Sequence, residues 1–309
     1  MNERILRRID DTNAVPSIPN VVRHLLEVTA EPDYKLSNVV QVLSTDAGIT
    51  TDVVRLANSS LYGGTSKIAT LDTAITRLGI KRIRQLVIAR SLVSNLQTSQ
   101  SQLIDESYFW RRSLGTAVMA AHFADAGKGV GRDTAFLAGL LSDVGVVILA
   151  RAIPDEYREV AALYTPRSEG DFCAHERTLG LSHAEVSAMA LERWSLSRDL
   201  VLAVRHHHDL NFEDESAPGA AVRLALLVNG AGEVATCLCE ASEPEHIREV
   251  CTKAMKTVGL ETSDLPPILR RVEPEIDELA NVLRLDIIPS KVYALIAESV
   301  SEQLTSASS

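Results

Sequence analysis

The strongest constraint on this chain is the stretch Thr134-Ala-Phe-Leu-Ala-Gly-Leu-Leu-Ser-Asp-Val-Gly-Val-Val-Ile-Leu-Ala150, in which one polar pair, Ser142-Asp143, interrupts a nearly unbroken apolar run. As a helix, the run is apolar on almost every face and is expected to be buried. A carboxylate buried with it needs a metal, a cation or hydrogen-bond donors, because an ion stripped of water without compensation is very costly. The nature of that partner separates an enzyme from a non-enzyme.

The 309 residues, 46% of them hydrophobic, suffice for a full core in one large domain or two smaller ones. Aromatics are only 4%, and the apolar mass of Leu, Val, Ile and Ala suits helix packing on helix, so the expected class is all-α. Lys and Arg number 31 against 41 Asp and Glu, a net charge of −10. That charge opposes a broad phosphate-binding surface, so nucleic acid is not expected as a partner, while a local basic patch stays compatible. The four cysteines, Cys173, Cys237, Cys239 and Cys251, form no CxxC pair and read as reduced thiols of a cytoplasmic protein. The amino terminus mixes both charges without an apolar core of signal-peptide length, and the longest apolar run is broken at Ser142-Asp143, so no export signal or membrane span is expected.

Apolar positions at helical spacing predict a first helix through Val21, Val22, Leu25, Leu26 and Val28, ended by Glu31-Pro32-Asp33. A short helix capped by Ser37 runs to Leu43, and Ser44 or Asp46 caps another that ends at Asn58. Thr70 opens a segment closed by Gly79, and a helix covers 81–96. The polar run Gln97-Thr-Ser-Gln-Ser-Gln102 marks the seam between two lobes. Further helices are expected over 106–126, through the central run, from Pro154 to Tyr164, and near 171–179, 183–195, 198–208, 220–240, 244–257, 274–285 and 290–303, with a disordered tail from Thr305. No strand signal and no repeat is found.

His24 and His122 stand apart, but Ser142-Asp143, His183 with Glu185, and His206-His-His-Asp209 lie within one stretch of the chain. Neutral imidazoles and carboxylates converging from several helices are what a transition metal requires, and adjacent residues can serve one centre. On a helix of 3.6 residues per turn, at most one or two of His206, His207 and His208 face the same point.

At these residues the sequence becomes specific. Ala135-Phe-Leu-Ala-Gly-Leu-Leu-Ser-Asp-Val-Gly145, Gly180-Leu-Ser-His-Ala-Glu-Val186, Trp194 and Ala203-Val-Arg-His-His-His208, in that order, resemble the HD superfamily of metal-dependent phosphohydrolases. Pro16-Ser-Ile-Pro19, Asp46-Ala-Gly-Ile49, Arg55-Leu-Ala-Asn-Ser-Ser-Leu-Tyr62, Leu71-Asp-Thr-Ala-Ile-Thr-Arg-Leu-Gly79 and Trp110-Arg-Arg-Ser113 look like its HDOD branch. The resemblance covers residues 12–210 and implies a two-lobed helical HD-like architecture: 1–100 as an N-terminal lobe, 101–210 beginning the HD-like lobe and 211–309 completing it. It implies a regulatory or output domain of bacterial signalling, often with an incomplete metal set. By motif alignment, Arg112 lies where a first ligand histidine is expected, Ser142 replaces the histidine of the HD pair, and 222–232 contains no aspartate. Asp143, His183, His207 and His208 survive as a remnant metal site.

A serine hydroxyl is a poor substitute for imidazole, and an arginine cation repels a metal. The expectation is therefore a non-enzymatic cytoplasmic signalling adaptor that binds a regulatory protein, with no catalytic residue, no cofactor beyond residual divalent metal, and no inferable oligomeric state. The alternatives are a metal-dependent phosphodiesterase acting on a nucleotide or cyclic dinucleotide, and a non-hydrolysing nucleotide sensor. Arg112 is the expected partner of Asp143. His183 suits a helix N-terminus or the remnant site. Trp110, Trp194 and Tyr62 read as core, Asn58 as a helix cap, and Arg55 as one half of an ion pair with Asp46 or Asp72, the sharper alternative being an acidic group on a partner.

Overall fold

The computed structural model describes residues 3–30, 33–59, 62, 66–97, 103–127, 129–165, 171–180, 182–210, 212, 217–239, 244–285 and 287. The described residues form helices and turns, without a strand. They fall into two compact units, a smaller one of 16–100 with 278–285 and a larger one holding the remainder. Residues 1–15, which the sequence places in the N-terminal lobe, therefore group with the larger unit.

The first helix, α1 (Glu3–Asp11), escapes the sequence reading because its charges dominate its composition. Its apolar positions are nonetheless four apart, and both Ile5 and Ile9 are buried. Arg193–Asp10 at 2.7 Å and Arg4–Glu156 at 2.5 Å lie at its rim.

The smaller unit contains α2 (Asn20–Val28), α3 (Leu36–Leu43), α4 (Ala47–Ala57), α5 (Leu71–Leu78) and α6 (Ile80–Gln97). Val22, Leu25, Leu43, Val53, Leu56, Ala74 and Ile83 supply its core. Lys35, rather than Ser37, occupies the cap of α3, so Ser37 lies within the first turn and caps nothing. Asp46 caps α4 by accepting from the Ile49 amide at 3.0 Å. Asn58 ends α4 without entering the left-handed region (φ −100°). Its side chain donates to the carbonyls of Val54 and Ile68 and accepts from the Ile68 amide at 2.8 Å, which ties the end of α4 to the chain ten residues later.

The larger unit is built on α7 (Glu106–Ala126), whose cap Asp105 accepts from the Tyr108 amide. Then come α8 (Arg132–Leu141), α9 (Val144–Ala152), α10 (Pro154–Ala161), α11 (Phe172–Thr178), α12 (His183–Arg193) and α13 (Arg198–Arg205). These are followed by α14 (Gly219–Cys239), α15 (Pro244–Val258), a 3₁₀ turn at Thr262–Asp264 and α16 (Leu265–Leu283), whose final residues belong to the smaller unit. Helix α16 begins nine residues earlier than Pro274, the expected start, and carries that proline in its interior. The expected helix at 290–303 and the tail from Thr305 lie outside the described residues, as do residues 98–102 of the polar run.

The central apolar run is two helices rather than one. It breaks at Ser142-Asp143, where Asp143 adopts φ −103° and ψ 8°. The Gly145 amide donates to Ser187 Oγ on α12 at 2.8 Å. Val146 N–H reaches back only three residues, to the Asp143 carbonyl. Residues 132–152 and 219–239 are both long and apolar enough to cross a membrane, but 89% of the first window is buried inside the protein.

Two glycines set how closely these helices approach. A Cβ on Gly145 would fall 2.1 Å from the His183 carbonyl oxygen, and one on Gly139 would fall 2.8 Å from Ala117 Cα. Both obstacles are backbone, which cannot rotate aside. Gly145→Ala is expected to cost at least about 1–3 kcal/mol in urea unfolding; an unchanged midpoint would show that α9 and α12 can separate freely.

Candidate functional site

The break between α8 and α9 turns Asp143 toward the ends of three other helices. Its side chain is 6% exposed, and its two oxygens have different surroundings. Oδ2 accepts from Arg112 Nη1 of α7 and from the Tyr164 hydroxyl at 2.8 Å. Arg112 Nη1 also donates to the Tyr164 oxygen at 2.7 Å, and its Nε donates to Thr236 Oγ1 of α14 at 2.9 Å. The partner that the sequence suggested for Asp143 thus meets it directly, within a network that includes Tyr164 and Thr236.

Oδ1 faces two imidazoles, His207 Nε2 at 3.3 Å and His183 Nε2 at 3.6 Å. His183 is both the first residue of α12 and a member of the site, so the two roles read from the sequence coincide. Ser182 caps the helix through the Glu185 amide. Glu176 of α11 accepts from the His183 backbone amide at 3.0 Å and contacts Nδ1 at 2.6 Å, while Tyr157 donates to its other oxygen at 2.5 Å. Nε2 of His183 is consequently aimed at the site, 2.9 Å from His208 Nε2.

Residues 206–209 form a turn, not the last turn of a helix. Leu210 closes it in the left-handed region (φ 51°), its amide donating to the His206 carbonyl at 3.0 Å. Helical spacing would separate adjacent rings by about 100°. In the turn, the rings of His207 and His208 lie 4.0 Å apart and both reach the same centre. His206 does not join them; it faces Asp209 at 3.2 Å and packs on Phe212. The His207 Nδ1 proton goes to the Val204 carbonyl at 2.6 Å, which leaves the lone pair of the buried Nε2 pointing inward with no hydrogen-bond partner.

One ligand atom from each of Asp143, His183, His207 and His208 lies within 4.8 Å of the others. This donor set fits a divalent transition metal, and the orphaned Nε2 of His207 fits one as well. Ser142 takes no part, since its hydroxyl donates to the Gly139 carbonyl at 3.0 Å. A cleft of about 630 Å³ adjoins the cluster, lined in part by Arg112, Asp143, Cys173, Glu233 and His246, and a smaller cavity of about 230 Å³ borders Tyr108, Tyr164 and Phe172. Cys173, Cys237, Cys239 and Cys251 form no disulfide.

Burial raises the pKa of Asp143, but the Arg112 guanidinium first, and the neighbouring His183 and His207 rings after it, outweigh burial and hold the carboxyl well below the usual range. Burial likewise opposes charge on His183, yet Glu176 and Asp143 raise it to about 9. His208 is the exposed member of the cluster, yet desolvation of its ring first, then His207 and His183, push its pKa below the ordinary value. The metal-free site therefore holds an imidazolium at His183 that donates to neutral His208.

Several of these residues were invisible in the sequence. Glu176, Tyr157 and Tyr164 lie in short helices or turns where periodicity gives an acid or a phenol no special weight, and only tertiary packing brings them to Asp143 and His183. Of the remaining sequence choices, Trp110 and Trp194 are buried in the core. Tyr62 lies under the Arg82 guanidinium at 4.4 Å rather than in the core. Arg55 pairs with Asp52 at 3.8 Å, not with Asp46 or Asp72, because Asp52 stands three residues earlier on the same helix face. His122, away from the site, bonds Glu275 at 2.8 Å beside Arg132.

Arg112→Ala strands the buried Asp143 carboxylate, so chemical unfolding is expected to show a loss of about 3–5 kcal/mol. A loss under about 1 kcal/mol would mean that the other donors suffice. Because the His183 pKa is higher in the folded state, its contribution to stability is fully present below pH 6.5 and disappears as the pH rises to about 9. In protein kept free of metal, unfolding free energy should fall across that window, and His183→Gln should flatten the slope. An equal slope in that variant would assign the effect to another group.

The model of the HDOD domain matches residues 15–210. A protein of Treponema pallidum (strain Nichols) known only as an uncharacterized protein is 25% identical over 207 residues, which are 67% of this chain and 39% of that relative's length. Among solved structures, an HDOD domain protein with unknown function from Geobacter sulfurreducens superposes with TM-score 0.66 at 23% identity, covering 94% of this chain and 98% of its own. One from Shewanella amazonensis SB2B, named "Putative phosphohydrolase", superposes with TM-score 0.65 at 21% identity over 97% of both chains. Likeness at these identities establishes the fold alone. The family match spans well over half the chain and contains Arg112, Asp143, His183, His207 and His208. This chain belongs to the HDOD domain family.

Proposed function

We propose that this HDOD protein is a non-hydrolysing signalling module that acts in the cytoplasm by binding a regulatory protein, its HD-type site serving as a structural brace. The observation that carries this reading is the state of Asp143: one oxygen is already taken by Arg112 and Tyr164. A fixed guanidinium beside the centre supplies positive charge that one metal of a two-metal site would otherwise bring, and it opposes a second metal ion there.

A single divalent metal is compatible with that role. Asp143 Oδ1 and the Nε2 atoms of His183, His207 and His208 would hold it, with Glu176 and the Val204 carbonyl fixing the rings. Four protein ligands characterise a closed structural centre, whereas hydrolytic zinc sites keep a position open for water. Bound there, the metal would supply cross-linking of α9, α12 and the 206–209 turn. A second reading, a nucleotide ligand with or without phosphodiester hydrolysis, draws support from the adjoining 630 Å³ cleft.

Protein stripped of metal and titrated with zinc or manganese, then assayed on bis(p-nitrophenyl) phosphate and cyclic dinucleotides, separates these readings. The expected result is at most one metal per chain, raised thermal stability and turnover at the level of buffer. Metal-dependent turnover abolished by Asp143→Ala would overturn the non-hydrolysing reading, and saturable heat from a cyclic dinucleotide without turnover would favour the sensor.

A further inference from the structure

The smaller unit gathers three arginines around one carboxylate. Asp52 lies on α4 with its side chain 2% exposed, and Arg90 Nε of α6 donates to its Oδ2 at 3.0 Å. Its Oδ1 faces Arg55 Nη1 at 3.8 Å and Arg284 Nη2 at 3.5 Å. Arg90 is mostly covered and also donates to Ser94 Oγ. Arg55 and Arg284 are each 51% exposed. Asp52 can neutralise one of the three, and Arg90 makes the close contact. The two outer guanidinium groups therefore keep most of their donors toward water, five N–H groups on each. Nearby Asp46 spends an oxygen on the Ile49 amide.

The backbone holds this arrangement at some expense. Arg284 sits at φ 57°, a region that costs an L-residue about 1–2 kcal/mol, and Gln97 Nε2 donates to its carbonyl at 3.3 Å. Gly48 packs beside this group: a Cβ there would touch Arg284 Nη2 at an ordinary 3.9 Å and crowd Asp46 Oδ1 at 3.1 Å. The charge of the unit points the same way: residues 16–100 and 278–285 carry ten Lys or Arg against seven Asp or Glu, whereas the whole chain carries 31 against 41.

We propose that Arg55 and Arg284, backed by Asp52 and Arg90, form a docking site for a carboxylate-bearing segment of a partner protein. Planar guanidinium groups bind carboxylates through paired, charge-assisted hydrogen bonds, and two held side by side can grip an acidic side chain. A nucleic acid needs a longer basic track than two guanidinium groups provide. The proposal rests on the reading of this protein as a module that binds another protein, and it names the surface and the chemistry of that contact.

The test uses the full chain and a fluorescein-labelled peptide of six glutamates, followed by anisotropy at about 30 and 300 mM salt. The double variant Arg55→Gln/Arg284→Gln leaves Arg90 on Asp52, and Lys67→Gln/Lys81→Gln removes the same charge from two exposed lysines of the same unit. Binding at low salt is expected, weakened about tenfold in the arginine variant and less than about twofold in the lysine variant. Should the double variant misfold, Arg55→Gln alone, whose ion pair is the longest of the three, is expected to weaken binding severalfold. Absence of peptide binding, equal weakening in the lysine variant, or tighter binding of a phosphate oligomer through the same arginines would overturn the proposal. Hydrolysis by the wild-type chain would overturn the non-hydrolysing reading and leave the peptide result standing.

Discussion

The larger unit is arranged around the need of one buried carboxylate for compensation. Asp143 sits where an apolar run breaks, and the break exists because Gly145 brings its backbone against His183 and gives its amide to Ser187. Placed there, the carboxylate collects Arg112 from α7, Tyr164 from the segment after α10, His183 from α12 and His207 from the turn after α13. An unpaired ion at this depth would cost several kcal/mol, so these contacts hold the helices in register as well as satisfying the charge.

The two oxygens of Asp143 divide the site into a closed half and an open half. On the Oδ2 side, guanidinium, phenol and the Thr236 hydroxyl form a completed hydrogen-bond network. On the Oδ1 side, three imidazoles converge, two of them fixed through Nδ1 by Glu176 and the Val204 carbonyl, and the His207 nitrogen lacks a partner. The donor set has the residue types that hold a divalent metal, with the Arg112 guanidinium on the opposite oxygen of the same carboxylate.

Much of this was legible in the sequence. The all-α class followed from an apolar mass of Leu, Val, Ile and Ala with few aromatics. Asp143 announced itself as the one acid in an apolar run, and motif order singled out Arg112, His183, His207 and His208. The break at Ser142-Asp143 was not legible, because it depends on the Ser187 hydroxyl 42 residues away. Nor was the turn that brings His207 and His208 together, since a helical period extends through it without interruption. Helix α1 was hidden by its charge, and Glu176 by looking like any surface acid. Asp52 was overlooked as the partner of Arg55 although the two stand three residues apart, a helical spacing already present in the sequence.

The central claim is that Arg112 and Asp143 stabilise the protein through each other. A double-mutant cycle in urea with Arg112→Met, Asp143→Asn and the combined variant, in metal-free protein, measures that coupling directly. A coupling energy of about 2 kcal/mol or more is predicted, with the combined variant more stable than the sum of the single losses implies. A coupling below about 0.5 kcal/mol would contradict the account and leave the imidazoles as the principal support of Asp143.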